Sequence, residues 1–241
     1  MSLNSCLFFR EETLCENYDG SFEGLLTIAF DSYVQKEIVK TYVQTDLEKA
    51  NRILNGIINN ISEQALHYIY NAYLSCDSLK EINILKYILN GFRLGPKIDT
   101  MLTLDYVFYV QNLSRKVWME THRMKEFIRF AEYGNILYAT IEPDNNVVEI
   151  IAPHFVNRLT CENFVIHDKK RGIAALYNKQ ELVVTDIKNI NLPQISDKEA
   201  LYEDLWKTFF NTIAVKERTN PRLQKQFVPK RYWNHMTEFK K

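Results

Sequence analysis

Glycine and proline are scarce in this chain of 241 residues, at 7 and 6, which excludes collagen-like and low-complexity classes. Cysteine is scarce as well. Cys6, Cys15, Cys76 and Cys161 stand singly, without CxxC or CxH spacing, so reduced structural thiols are expected rather than a disulfide framework or a zinc site. No apolar run approaches the roughly 18 residues that span a bilayer. The first thirty residues carry Glu11, Glu12, Glu16 and Asp19 where a secretory leader would be basic and then apolar. The expectation is a cytoplasmic protein with no membrane partner. P-loop, GxGxxG, HExxH, GxSxG, EF-hand and iron-sulfur spacings are missing, so the residues call for no metal and no cofactor.

Net charge is also lacking, at 30 basic against 30 acidic side chains, but the balance hides segregation. Residues 216–241 carry a net +6 from Lys216, Arg218, Arg222, Lys225, Lys230, Arg231, Lys240 and Lys241 against Glu217 and Glu238. Residues 114–130 carry +3, which leaves −9 for the remainder. Separation of sign on this scale points to an anionic partner on one face, or more plainly to a solvated charged surface.

What is present is periodicity. The spacing predicts an α+β fold, with a helical N-terminal half packed on a small antiparallel sheet that carries C-terminal helices. A short strand is expected at residues 7–10. Phe22, Leu25, Leu26, Ala29, Phe30 and Tyr33 form one helical stripe, and Thr45 to Glu48 and Ser78 to Glu81 read as capping boxes for later helices. Ser62 caps another, and Gly95-Pro96 ends the helix that Ser78 to Glu81 opens. A long helix is expected over residues 103–125. The period then changes: Phe127 to Phe130 and Ile136 to Ile141 flank Gly134-Asn135, a hairpin signal. A helix over 146–159 must accommodate Pro153, and strands follow at 164–168, 173–177 and 182–186. A last helix, 197–216, carries so wide an apolar stripe (Leu201, Leu205, Phe209, Ile213, beside Tyr202, Trp206, Phe210) that burial against the sheet is expected. Two subdomains, 1–122 and 123–241, are the predicted division.

Three segments could carry chemistry. Residues 214–233 interleave cations and amides with Phe227, Tyr232 and Trp233, a mixture suited to phosphates, base edges and stacked bases; a helix pair with its charges in water is the plainer account. In residues 115–130, Glu120 and Arg123 can pair at i, i+3, whereas Glu120 and His122 at i, i+2 face apart. The third group is His154, Arg158, His167, Asp168, Lys169, Lys170 and Arg171, where adjacent strand residues His167 and Asp168 point to opposite sheet faces. It reads either as a plain turn or as a phosphate-contacting hairpin tip.

Five ordered blocks carry a resemblance: Tyr18 to Leu26; Glu120 to Lys125 with Phe127 to Phe130; Ile141 to Asp144; Ile166 to Asp168 with Arg171-Gly172; and Lys216 to Arg222 through Pro229 to Trp233. Together they resemble an uncharacterised bacterial family named for DNA metabolism or DNA repair. That family accompanies a radical SAM protein, and a similar domain occurs fused to a uracil-DNA glycosylase-like domain. The resemblance covers nearly the whole chain and implies a context of DNA repair or modification, with DNA and a radical SAM protein as partners. It leaves the reaction, and whether the chain is itself an enzyme, open. Glu126 departs from the family, which has Gly between helix and strand.

Three functions compete. The first is a DNA-binding accessory protein using Arg123, Arg129, Arg171, Lys216, Arg218, Arg222, Lys225, Lys230, Arg231, Tyr232 and Trp233. The second is a DNA-processing enzyme of glycosylase or nuclease type, with Glu120, His122, His154, His167 and Asp168 as candidate acid/base groups. The third is a structural partner subunit without DNA affinity. Convergence of three of the acid/base candidates on one cleft would favour the second.

Overall fold

The entry to the first helix shows how local chemistry builds this protein. Asp19 accepts from the Ser21 amide (3.0 Å), the Ser21 hydroxyl (2.6 Å) and the Thr45 hydroxyl (2.8 Å). Ser21, extended in backbone, accepts from the Gly24 amide and caps α1, Phe22–Gln35. Gly20 turns the chain with φ +80°. Because Thr45 is committed to Asp19, the cap of α2 (Leu47–Asn60) is Asp46, which accepts from the Glu48 and Lys49 amides. The expected capping box there is corrected accordingly. Ser62 caps α3 (Glu63–Tyr73) as the sequence indicates. The second expected box also fails, because α4 (Lys80–Leu94) starts without a side-chain cap. Asp77 instead accepts from the Leu79 amide and the Tyr109 hydroxyl.

In this computed structural model, residues 17–187, 197–213, 218 and 220–239 are described. The strand expected at residues 7–10 lies outside them. The chain divides into two compact units, Met1–Trp118 and Met119–Lys241, and α5 (Asp105–Phe127) begins in the first and ends in the second. The first unit is helical, and its interior holds Leu25, Ile28, Ile57, Ile69, Ile84 and Ile88, among others. No helix among the described residues is long and apolar enough to cross a membrane.

In the second unit, α5 continues through Phe127, and the Ile128 amide still bonds the Met124 carbonyl. The first strand is therefore β1 at Ala131–Tyr133 rather than 127–130. Glu126 is helical, so no glycine-like freedom is needed at that departure from the family pattern. β2 (Ile136–Ile141) pairs antiparallel with β1 across Gly134-Asn135, with Gly134 at φ +66°. Then α6 (Val148–Arg158, with Pro153 inside) carries the chain over to β3 (Asn163–Asp168). A helical crossover returns the chain to the starting end, so β2 and β3 run parallel. The sheet is mixed, not antiparallel, although the α+β class is as expected. β4 (Ile173–Tyr177) and β5 (Leu182–Asp186) complete the order β1-β2-β3-β4-β5.

α7 (Asp197–Ile213) and α8 (Pro221–Phe227) lead to two 3-10 turns, Lys230–His235 and Thr237–Phe239. The apolar stripe of α7 is not buried against the sheet. Trp206 donates to Glu238 and Phe210 meets the Phe239 ring, so the helix rests on the last turn and leaves much of its stripe in solvent.

A Cβ at Gly24 would lie 2.5 Å from Asp19 Oδ1, 2.7 Å from Tyr18 Cδ2 and 2.9 Å from Thr45 Oγ1. Gly24→Ala should therefore cost about 1–3 kcal/mol in urea unfolding, by breaking the Asp19 turn, whereas an unchanged midpoint would show that the turn yields freely.

Candidate functional site

Parallel pairing sets Ile141 beside Asp168, so the loops leaving β2 and β3 emerge at the same sheet edge. The Lys169 amide bonds the Ile141 carbonyl at 3.1 Å and ties the two together. Glu120, near the end of α5 and only 3% exposed, projects into the first loop. Its Oε1 accepts from the Asp144 amide (2.9 Å) and the Tyr232 hydroxyl (2.5 Å). Its Oε2 accepts from the Asn145 amide (2.8 Å) and side-chain Nδ2 (2.6 Å). Four donors on one carboxylate match its acceptor capacity. Burial, and then the hydrogen bond to Glu120, hold the Tyr232 phenol above its ordinary range.

Charged side chains surround this carboxylate. Arg231 lies over the Tyr232 ring at 4.7 Å, donates to its hydroxyl at 2.9 Å and pairs with Asp144 at 3.0 Å. From the second loop, Arg171 donates to Asp168 at 2.8 Å, to the Pro143 carbonyl at 3.1 Å and to the Asp144 carbonyl. Asp168, fully buried, also accepts from the Lys170 and Arg171 amides, which makes the predicted turn. Gly172 closes it with φ +68°.

Residues 120, 144, 168, 171, 231 and 232 thus meet in one network, although they come from four of the five sequence blocks. Of the acid/base candidates only Glu120 and Asp168 join it. His167 points to the opposite sheet face, where its Nδ1 meets the Tyr138 hydroxyl at 2.8 Å. Beside it on β2, Thr140 meets His235 at 3.0 Å, and His235 lies 3.4 Å from Glu142. His122 is exposed on α5, and His154 lies half-buried on α6 against Phe155. Three candidates do not converge, and those that meet have their oxygens filled by internal donors. Among the described residues no group of three His, Cys, Asp or Glu side chains could hold a metal ion.

The predicted DNA-contact residues divide. Arg171 and Arg231 serve the network, Arg129 pairs with Glu238 at 3.0 Å, Tyr232 is buried, and Trp233 stacks on Phe239 at 4.6 Å. Arg231, not Arg123, is the cation nearest Glu120. Arg218, Arg222, Lys225 and Lys230 are exposed, and Lys216 lies outside the described residues. Sequence reasoning missed Asn145, Tyr138 and His235; only the neighbouring Ile141 to Asp144 block hinted at the first.

A family model described as a domain of unknown function, DUF4130, matches residues 79–238. The chain belongs to this family. Every member of the Glu120 network falls within the DUF4130 segment, whereas α1 to α3 lie before it. Neither a curated protein nor a solved structure matches the chain.

Two outcomes are expected for the network and its neighbour. Glu120→Ala should destabilise by about 3 kcal/mol or more, since it orphans several buried donors, and Tyr232→Phe by about 1–2 kcal/mol. The double variant should fall short of the sum in chemical denaturation, because the two share one bond. Separately, burial and then the charge of Lys169 push the His167 imidazole below its ordinary value. The folded state therefore binds fewer protons than the unfolded one below about pH 6.5, and stability should fall as pH drops through that point. His167→Gln should show a shallower loss of urea midpoint between neutral and mildly acidic pH; an identical slope would assign the titration elsewhere.

Proposed function

We propose that this DUF4130 protein is a DNA-binding accessory protein in repair or modification, acting beside a radical SAM enzyme that supplies the chemistry. The observation that supports this reading most is a set of exposed cations with no ion-pair partner among the described residues. Arg218, Arg222, Lys225 and Lys230 follow one another on and around α8, beside the exposed ring of Phe227. Arg231 of the same region, like Arg129 and Arg171 elsewhere in the chain, is occupied internally, so the exposed cations mark where phosphate can be neutralised. An exposed ring next to them offers a stacking surface for an unpaired base. The radical SAM partner rests on the family resemblance. An enzyme acting alone has less support, because Glu120 and Asp168 are saturated by internal donors.

A salt titration of the purified chain against single-stranded and duplex DNA tests the reading. Affinity should fall linearly with salt on logarithmic axes, and Arg222→Ala with Lys225→Ala should flatten the slope by roughly two units, about one per lost phosphate contact. Absence of DNA affinity at low salt, or a slope that the double variant leaves alone, would defeat the proposal. In that event, co-purification with the radical SAM protein through high salt would favour a purely structural partner.

A further inference from the structure

The exposed side of α5 in the first unit carries rings and cations in one line. Phe108, Asn112, Arg115 and Trp118 follow one another at steps of four, three and three residues, so they share one side of the helix. Lys116 lies at the margin of that line. The two rings are 58% and 55% exposed; Arg115 and Lys116 are exposed, and Asn112 is half-buried. At 1.5 Å per residue the line from Phe108 to Trp118 is about 15 Å long. Between Asp105 and Glu120 the chain has no acidic residue. Among the described residues, neither Arg115 nor Lys116 has an ion-pair partner.

We propose that this side of α5 is a contact for single-stranded DNA, in which Trp118 and Phe108 stack on unpaired bases while Arg115 and Lys116 neutralise the phosphates between them. The inference rests on the DNA-binding reading and adds which form of DNA the protein takes. Charge selects a polyanion, because the line is cationic and has no carboxylate of its own. An apolar protein surface laid over it would bury the Arg115 guanidinium without a counter-charge, at a cost of several kcal/mol. The rings select the strand state. A duplex presents its phosphates and base edges, with the base faces covered by one another, so two exposed rings gain little from it. A single strand offers those faces, and an aromatic side chain covers any of the four bases equally well. The order along the helix, ring then cation then ring, matches the alternation of base and phosphate along a strand. Asn112, between the rings, can donate to or accept from the edge of a base held there.

Titration of the full chain with a thymine oligonucleotide and with a duplex of equal length tests this. The single strand should bind more tightly. Trp118→Ala should weaken it about tenfold and leave duplex affinity within roughly twofold. Arg115→Ala with Lys116→Ala should flatten the salt dependence for the single strand by about 1.4 units, at about 0.7 per lost contact. Trp118→Phe keeps a ring, so it should retain most of the affinity while removing the larger part of the tryptophan quenching that the oligonucleotide produces; this variant keeps the test readable if Trp118→Ala alters the far-ultraviolet circular dichroism spectrum. Equal affinity for the two forms, or quenching that Trp118→Phe leaves alone, overturns the inference and leaves the DNA reading in place. So does a salt slope that only the α8 substitutions flatten. A wild type that binds neither form defeats the DNA reading and this inference together.

Discussion

The carboxylate of Glu120 holds the second unit of this protein in register. It is buried, and it takes four hydrogen bonds from the loop after β2 and from Tyr232 near the C-terminus. Burying such a group costs several kcal/mol unless every acceptor position is filled. The same requirement fixes the conformation of residues 144 and 145 and seats the last 3-10 turns against α5. Arg231 and Arg171 then approach because the loop presents Asp144, Asp168 and two carbonyls to them. Remove the carboxylate and the donors around it have nowhere else to turn.

This arrangement changes the meaning of the basic C-terminal region. Part of its positive charge balances the acidic loops of the same unit, so the segregation of sign along the chain is partly an internal pairing. The cations of α8 are different: among the described residues they have no carboxylate partner, and they are exposed to water. Exposed cations and a folding device thus lie within a dozen residues of each other, separated by whether a buried acceptor is within reach. The two halves of the acid/base candidate set part for a similar reason. His167 and Asp168 are adjacent on β3, so strand geometry sends one to the Tyr138 face and the other to the Arg171 network.

Much of the architecture was legible in the chain. Helical periodicity located α1 to α5, Ser62 capped as its side chain predicts, Gly134-Asn135 turned a hairpin, and the five-strand count and α+β class hold. The misses have physical causes. Thr45 could cap α2 only if Asp19, 26 residues away, did not take its hydroxyl first. The parallel β2–β3 pair followed from the position of α6 between them, which outweighed the hairpin signals around it. The wide stripe of α7 looked like a core face because periodicity reports apolarity and not what lies opposite.

The sequence by itself determined the elements, the turn chemistry of Asp168 to Gly172 and the concentration of cations near the C-terminus, since each depends on neighbours within a few residues. Only the tertiary structure decided that Glu120 meets Tyr232, 112 residues away, that Arg129, Arg171 and Arg231 are occupied while Arg222 and Lys225 are exposed, and that α7 shows its ridge to solvent. These are pairings across long chain separations, where competition among several possible donors for one buried acceptor is settled by packing and not by local propensity.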